Sequence, residues 1–214
     1  MTPNRNLFII LSGLFIVMVG FGITLPVLPF FIQRISVSQG ISQELVSFHV
    51  GLLTGIYALM QFFFSPLFGI LSDRKGRKPF IVIGLAGYSV SLILFSIATN
   101  LWLFYVLRIM GGIFSAAFLT GSIAYIADVT PVDKRGKGMA LYGSFIGLGL
   151  VAGPFIGSFF TNTNIHFYLS WLDLTIDSYT IPFLLSGLFS IIVSTALVFL
   201  LKEQLKFSKN KINL

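Results

Sequence analysis

Hydrophobic and polar positions along the chain separate into six long apolar segments joined by short polar connections. Each segment is long enough to cross the ~30 Å hydrocarbon core of a bilayer as a helix, which takes about 20 residues. The segments lie at about 7–31, 46–71, 79–98, 101–126, 137–160 and 180–201. The pattern predicts an all-α bundle of six transmembrane helices over residues 1–201 and a polar tail over 202–214.

Composition excludes a water-soluble globule and a disordered chain. Of the 214 residues, 56% are hydrophobic and 10% are charged, against about 25% charged in a soluble domain. The chain has no cysteine, which excludes disulfides, thiolate metal sites and thiol nucleophiles. It also has no Walker loop, nucleophile elbow or metal-binding motif. The sequence therefore predicts no enzyme, no metal site and no bound cofactor.

Lysine and arginine are concentrated in alternate connections. Twelve of the 14 lie before the first segment, between the second and third, between the fourth and fifth, or after the sixth. By the positive-inside rule these connections face the cytoplasm. The net charge of +7 is thus explained by membrane orientation and not by nucleic acid. We predict a multi-pass protein of the plasma (inner) membrane with both termini in the cytoplasm.

The connection between the second and third segments carries the most informative motif. Gly76 permits a tight turn after an acidic residue, and four cations lie beside the lipid headgroups. Taken alone, the four cations are explained equally well by the positive-inside rule, in which they set only the orientation of the chain in the membrane. The full pattern resembles the cytoplasmic loop signature of the major facilitator superfamily, in the residues Gly69, Asp73, Arg74, Gly76, Arg77 and Lys78.

The chain thus resembles the N-terminal six-helix half of a major facilitator transporter, closest to the 12-helix drug:proton antiporters that include bacterial quinolone and tetracycline exporters. The resemblance implies two three-helix repeats and a substrate site between two such halves. It implies a proton gradient as the energy source in place of a cofactor. It also implies that Asp73, Arg74 and Arg77 form a charge latch between the halves, and that Gly69 allows close helix contact.

Arg108 is a charged residue well inside the fourth apolar segment. Burial of a cation at this depth costs at least about 2.5 kcal/mol, which favours a functional role. The alternative is a side chain that reaches the outer headgroups. The surrounding sequence LFYVLRIMGG resembles the fourth-helix signature of the superfamily. The resemblance implies that Arg108 takes part in proton transfer or holds substrate and water, while the guanidinium itself stays charged.

The fifth segment has glycines four residues apart on one helix face, at Gly149, Gly153 and Gly157. The glycines alone are typical of an ordinary packing face in a membrane protein. Together with Pro154, which removes a backbone hydrogen bond and favours a bend, they resemble the signature of antiporters within the superfamily. The resemblance implies export.

The first segment carries Pro26 and Pro29 near its outer end, where a kink can shape a gate. This run also resembles the drug exporters. The tetracycline exporters usually have an acid about nine residues before the first proline, and Val17 stands at that position here. We therefore expect a lipophilic drug in place of tetracycline.

Two weaker signals complete the candidate residues. The second segment contains Gln61 followed by Phe62 and Phe63. They could form an aromatic wall with one polar contact, which would suit lipophilic cations. The alternative is that the phenylalanines face lipid or pack against other helices. Asp128 and Arg135 resemble the turn after the family's fourth helix, and the resemblance implies that they are partners of the cytoplasmic latch.

These observations predict proton-coupled efflux of lipophilic drugs or similar small molecules by alternating access. The partners are the lipid bilayer, a small lipophilic or cationic substrate, and a second six-helix half supplied by a homodimer or a separate chain. Two alternatives stay open: an inactive N-terminal fragment of a truncated transporter, or a six-helix membrane scaffold or channel.

Overall fold

The protein is a bundle of six long helices with one small hairpin at one end. We call this end the outer end and the opposite end the cytoplasmic end, after the orientation that the distribution of lysine and arginine predicts. The computed structural model describes residues 3–38, 42–163, 165–169 and 174–201. All six helices are long and apolar enough to span a membrane, which confirms the predicted fold class. The tail predicted at 202–214 lies outside the described residues. The elements are α1 (Pro3–Ser38), α2 (Gln43–Lys75), α3 (Arg77–Ser96), α4 (Leu101–Val129), a 3-10 turn (Val132–Lys134), α5 (Arg135–Thr161), β1 (His166–Leu169), β2 (Leu174–Asp177) and α6 (Ile181–Leu200).

Local sequence determines where the helices end. α1 and α2 extend several residues beyond the apolar segments that predicted them, because polar residues at the membrane surface continue a helix until a residue stops it. α2 stops at Gly76, whose φ of 97° lies in the left-handed region that glycine adopts readily. Asn100 caps the start of α4, because its side-chain oxygen accepts a hydrogen bond of 2.8 Å from the backbone N–H of Leu103.

The helix packing has an internal symmetry that the sequence hardly shows. α1 packs on α5, and α4 packs on α2. α3 packs on α4, α6 packs on α1, and α3 and α6 pack on each other. The pairings are unchanged when α1 is exchanged with α4, α2 with α5, and α3 with α6. The two three-helix repeats are therefore visible in the packing.

Four buried phenylalanines join four helices near the outer membrane surface. Phe95 of α3 lies at the centre, with its ring centroid 4.6 Å from Phe104 of α4 and 5.0 Å from Phe183 of α6. Phe31 of α1 packs edge-on against Phe104 at 5.5 Å. Offset and edge-to-face pairs of this kind are the favoured aromatic geometries, so the cluster fixes the outer ends of these helices relative to one another.

An outer hairpin, β1 and β2, is attached to the bundle by an ion pair. The strands are antiparallel, with His166 opposite Asp177. The buried Asp177 carboxylate pairs with Arg34 of α1 and accepts hydrogen bonds of 3.0 Å from the backbone N–H groups of Tyr179 and Thr180. One carboxylate thus connects the end of α1, the hairpin and the start of α6.

Close contact between α1 and α5 depends on glycine. Gly149, Gly153 and Gly157 are buried on the face of α5 that meets α1. A Cβ atom added to Gly153 would lie 2.6 Å from the Cα atom of Gly22. At Gly149 and Gly157 an added Cβ would lie 2.5 Å and 2.9 Å from side-chain atoms of α1. No larger residue fits this contact, which we call the α1–α5 seam, without a shift of one helix.

We expect Gly153→Ala to destabilise the bundle by about 1–3 kcal/mol, because the new methyl group meets the backbone of α1. The measurement is thermal unfolding of the purified chain in detergent. The matched control is Gly147→Ala in the same helix, where an added Cβ meets nothing within 4 Å. The control should be neutral or stabilising, since alanine favours a helix. Equal midpoints for the two variants would show that the seam is not tight.

Candidate functional site

Arg108 lies inside the bundle and does not extend to the outer headgroups. Its side chain is only 6% exposed. The guanidinium carbon lies 4.6 Å from the centroid of the Phe95 ring and 5.7 Å from that of Tyr57. A desolvated cation–π contact contributes about 2 kcal/mol, so these two ring faces offset much of the cost of at least about 2.5 kcal/mol for placing the cation at this depth.

A small cavity of about 20 Å³ lies beside the guanidinium. Its walls come from this chain's own helices, with Tyr57 from α2, Ser91 from α3 and Phe183 from α6. Within the described residues, Nε and Nη2 of Arg108 and the hydroxyl of Tyr57 are buried without a hydrogen-bond partner. The site therefore combines a buried positive charge with polar groups that lack hydrogen-bond partners, around a space of about the size of one water molecule.

A second, open groove lies between α1, α2 and α4. Its volume is about 550 Å³. Gln61 lies in this groove and donates a hydrogen bond of 3.4 Å to the hydroxyl of Ser115. Phe62 also lines the groove and is exposed, whereas Phe63 is exposed outside its lining. The groove thus brings together two of the three residues predicted as a substrate wall.

The prolines of α1 and α5 do not interrupt their helices. α1 continues through Pro26 and Pro29 to Ser38, and α5 continues through Pro154 to Thr161. Pro154 lies against Gly22, where an added Cβ would be 2.9 Å from the proline ring. Pro154 therefore belongs to the α1–α5 seam.

Arg77 holds three helices together at the cytoplasmic surface. It forms an ion pair with Asp73 at the end of α2, and its Nη1 donates to the hydroxyl of Ser72 at 2.8 Å. Its Nε lies 3.3 Å from a carboxylate oxygen of Asp128 in α4. The structure thus brings Asp73, Arg77 and Asp128 together within one half.

The other residues of the loop motif are arranged around this centre. Lys78 donates a hydrogen bond of 2.8 Å to the carbonyl of Val198, near the end of α6, where a cation also interacts favourably with the helix dipole. Arg74 and Arg135 are exposed. A Cβ added to Gly69 would make an ordinary contact of 3.5 Å, so packing within this half leaves room for a larger residue there.

Sequence reasoning missed the partners of Arg108. Tyr57 and Phe95 come from α2 and α3, and no spacing distinguishes them among the many aromatic residues, which make up 15% of the chain. It also missed the pair of Arg34 and Asp177, which are separated by 143 positions. Only the packing of the helices brings these groups together.

The fold and the loop motif agree with the comparison to known proteins. Residues 10–213 match the family model of the Major Facilitator Superfamily. The chain belongs to this superfamily. Members of the superfamily are membrane transporters and not enzymes. With its six helices long enough to span a membrane, this chain is a multi-pass membrane protein.

Several relatives of this superfamily chain are drug-resistance proteins. The tetracycline resistance protein, class C, of Escherichia coli is 36% identical over 168 residues, which cover 78% of the chain and 40% of that protein. Multidrug resistance protein 2 of Bacillus subtilis is 31% identical over 207 residues, which cover 96% of the chain and 46% of that protein. The chain therefore spans less than half the length of these relatives.

A solved structure supports the fold alone. The human organic anion transporter MFSD10 (TETRAN) superposes with a TM-score of 0.71 at 23% identity, over 96% of this superfamily chain and 50% of that protein. The bundle of α1–α6 thus corresponds to about half of a superfamily transporter.

We expect Arg77→Ala to lower the stability of the bundle by about 1–3 kcal/mol, because it leaves partly buried polar partners on α2 and α4 without their donor. Thermal unfolding in detergent measures the effect. Arg74→Ala removes the same charge from an exposed neighbour and should change the midpoint little. A comparable loss in both variants would mean that loop charge, and not the contacts of Arg77, stabilises this end.

Proposed function

We propose that this chain is one half of an exporter that moves lipophilic small molecules out of the cell by alternating access, driven by a proton gradient. The observation that carries the proposal is the similarity of 31–36% to tetracycline and multidrug resistance proteins over most of the chain. The α1–α5 seam supports it, because it contains the residues that resemble the antiporter signature.

The open groove is suited to a lipophilic substrate. Its lining is mainly apolar, with Gln61 as a hydrogen-bonding group and Phe62 as an exposed aromatic face. Aromatic faces attract organic cations. Val17, which stands where tetracycline exporters usually carry an acid, is fully buried. We therefore propose a lipophilic or cationic drug as the substrate and not tetracycline.

The unburied faces of α2 and α5 support a second half. Only 11% of the apolar window of each helix is buried, against 61% for α1. In this superfamily the substrate site lies between two such halves. A second copy of this chain or another polypeptide would cover the two helices and enclose the groove. The cytoplasmic loop, with Asp73 and Arg74 exposed at the end of α2, would then contact that half as a latch.

Arg108 has a supporting role in this mechanism. The Arg108 side chain is buried within its own half. A carboxylate of the second half would therefore interact with its charge at a distance and not through a direct contact. A fixed positive charge lowers the proton affinity of any carboxylate nearby in the low-dielectric interior. We propose that Arg108 tunes the titrating group in this way and keeps its own proton.

Export is tested by dye accumulation in a drug-sensitive bacterium that expresses the chain. We expect lower accumulation of a lipophilic cationic dye than with an empty vector, and loss of the difference after addition of a proton uncoupler. Arg108→Ala should abolish export while the protein still inserts into the membrane. The control Lys137→Gln alters an exposed residue of α5 and should retain export. Unchanged accumulation with inserted protein would favour the inactive-fragment alternative.

Orientation in the membrane is tested separately by cysteine labelling, since the chain has no native cysteine. We place both termini in the cytoplasm of the plasma membrane and the hairpin outside. A membrane-impermeant maleimide added to intact cells should therefore label His166→Cys, which lies in the exposed part of β1. It should label Lys137→Cys only after the cells are permeabilised. The reverse pattern would overturn the orientation.

A further inference from the structure

The charge of Arg108 has no carboxylate partner among the described residues. Asp73 and Asp128 are bound to Arg77 at the cytoplasmic end, and Asp177 is bound to Arg34 at the outer end. Two further acids lie in the described residues: Asp133 is exposed beyond the end of α4, and Glu44 lies in the first turn of α2, 13 positions and about 20 Å of helix before Tyr57. Buried charges in proteins are normally paired, and the ring faces beside Arg108 attract the cation without neutralising it.

The free polar groups at the cavity are hydrogen-bond donors. The Nε and Nη2 atoms of Arg108 can only donate, and the Tyr57 hydroxyl, which also lies without a hydrogen-bond partner, can donate or accept. The other two hydroxyls on the wall already donate elsewhere, Ser91 to the carbonyl of Gly87 at 2.8 Å and Tyr88 to the carbonyl of Val17 at 3.0 Å. A guest that accepts hydrogen bonds and carries negative charge complements this lining.

The size of the cavity favours a small guest. A volume of about 20 Å³ exceeds the ~10–15 Å³ that one water molecule requires. A halide ion is closer to this size than a carboxylate, phosphate or sulfate group, each of which has several heavy atoms. A water molecule fits, but it would leave the positive charge uncompensated.

We propose that this cavity binds one monatomic anion of halide size, which is chloride in the cell, between Arg108 and Tyr57. The anion accepts hydrogen bonds from the guanidinium and the tyrosine hydroxyl and supplies the missing negative charge. It stabilises the folded bundle at the point where α2, α3, α4 and α6 meet. The site lies within this half and shares Arg108 with the exporter proposal, and a bound anion would weaken the effect of the Arg108 charge on a titrating group. Its test below measures stability and not transport.

The test is the thermal unfolding of the purified chain in detergent as chloride replaces gluconate at constant ionic strength and pH. We expect a saturable rise of a few degrees in the midpoint, because a ligand that binds only the folded state stabilises it. Bromide should act like chloride. Tyr57→Phe should raise the chloride concentration at half-saturation about tenfold or more, since it removes one donor to an anion. Arg108→Gln should abolish the response.

Two controls make the result decisive. Lys137→Gln removes an exposed positive charge and should respond to chloride like the unaltered chain. Tyr57→Phe retains the aromatic ring. If Arg108→Gln does not fold, the chloride response of Tyr57→Phe is sufficient to test the site. Equal midpoints in chloride and gluconate for the unaltered chain would overturn the proposal in favour of a water molecule. An unchanged chloride response in Tyr57→Phe would place the halide elsewhere and overturn it as well. Neither outcome depends on transport.

Discussion

Close approach of helix backbones is the constraint on which the rest of this structure depends. Lipid gives helices little hydrophobic reason to associate, so they pack through van der Waals contact at small residues. Gly153 permits this between α5 and α1, and Gly84 between α3 and α4, where an added Cβ would lie 2.5 Å from the backbone nitrogen of Phe118. At Gly112 of α4 it would lie 2.5 Å from the carbonyl oxygen of Tyr57. The contacts are spread over both three-helix repeats.

The environment of Arg108 is a consequence of this packing. The contact at Gly112 draws Tyr57 against α4 about one helical turn from Arg108, and the aromatic cluster brings Phe95 over the guanidinium. The charge is therefore held among rings of its own half. Ion pairs connect the helices at both ends of the bundle. Arg77 connects α3 to α2 and α4 at one end, and Asp177 pairs with Arg34 of α1 at the other.

Two of the spaces in the bundle differ in what they can accept. The groove beside Gln61 is large, open and mainly apolar. The cavity beside Arg108 is small, lies between α2, α3, α4 and α6, and carries the unpaired polar groups of Arg108 and Tyr57 in a mainly apolar lining. The first space suits a lipophilic molecule, and the second suits a small polar or charged guest.

The sequence by itself determined the features that depend on local composition and spacing. The lengths of the apolar segments specify six membrane spans. The positive φ at Gly76 favours glycine. Glycines spaced four residues apart lie on one face of a helix, whichever neighbouring helix packs there. Tertiary structure alone decided the partners of each side chain. Arg108 meets Phe95 and Tyr57, and Arg34 meets Asp177 across 143 positions, because helices far apart in the chain become neighbours only through packing, which no local pattern encodes.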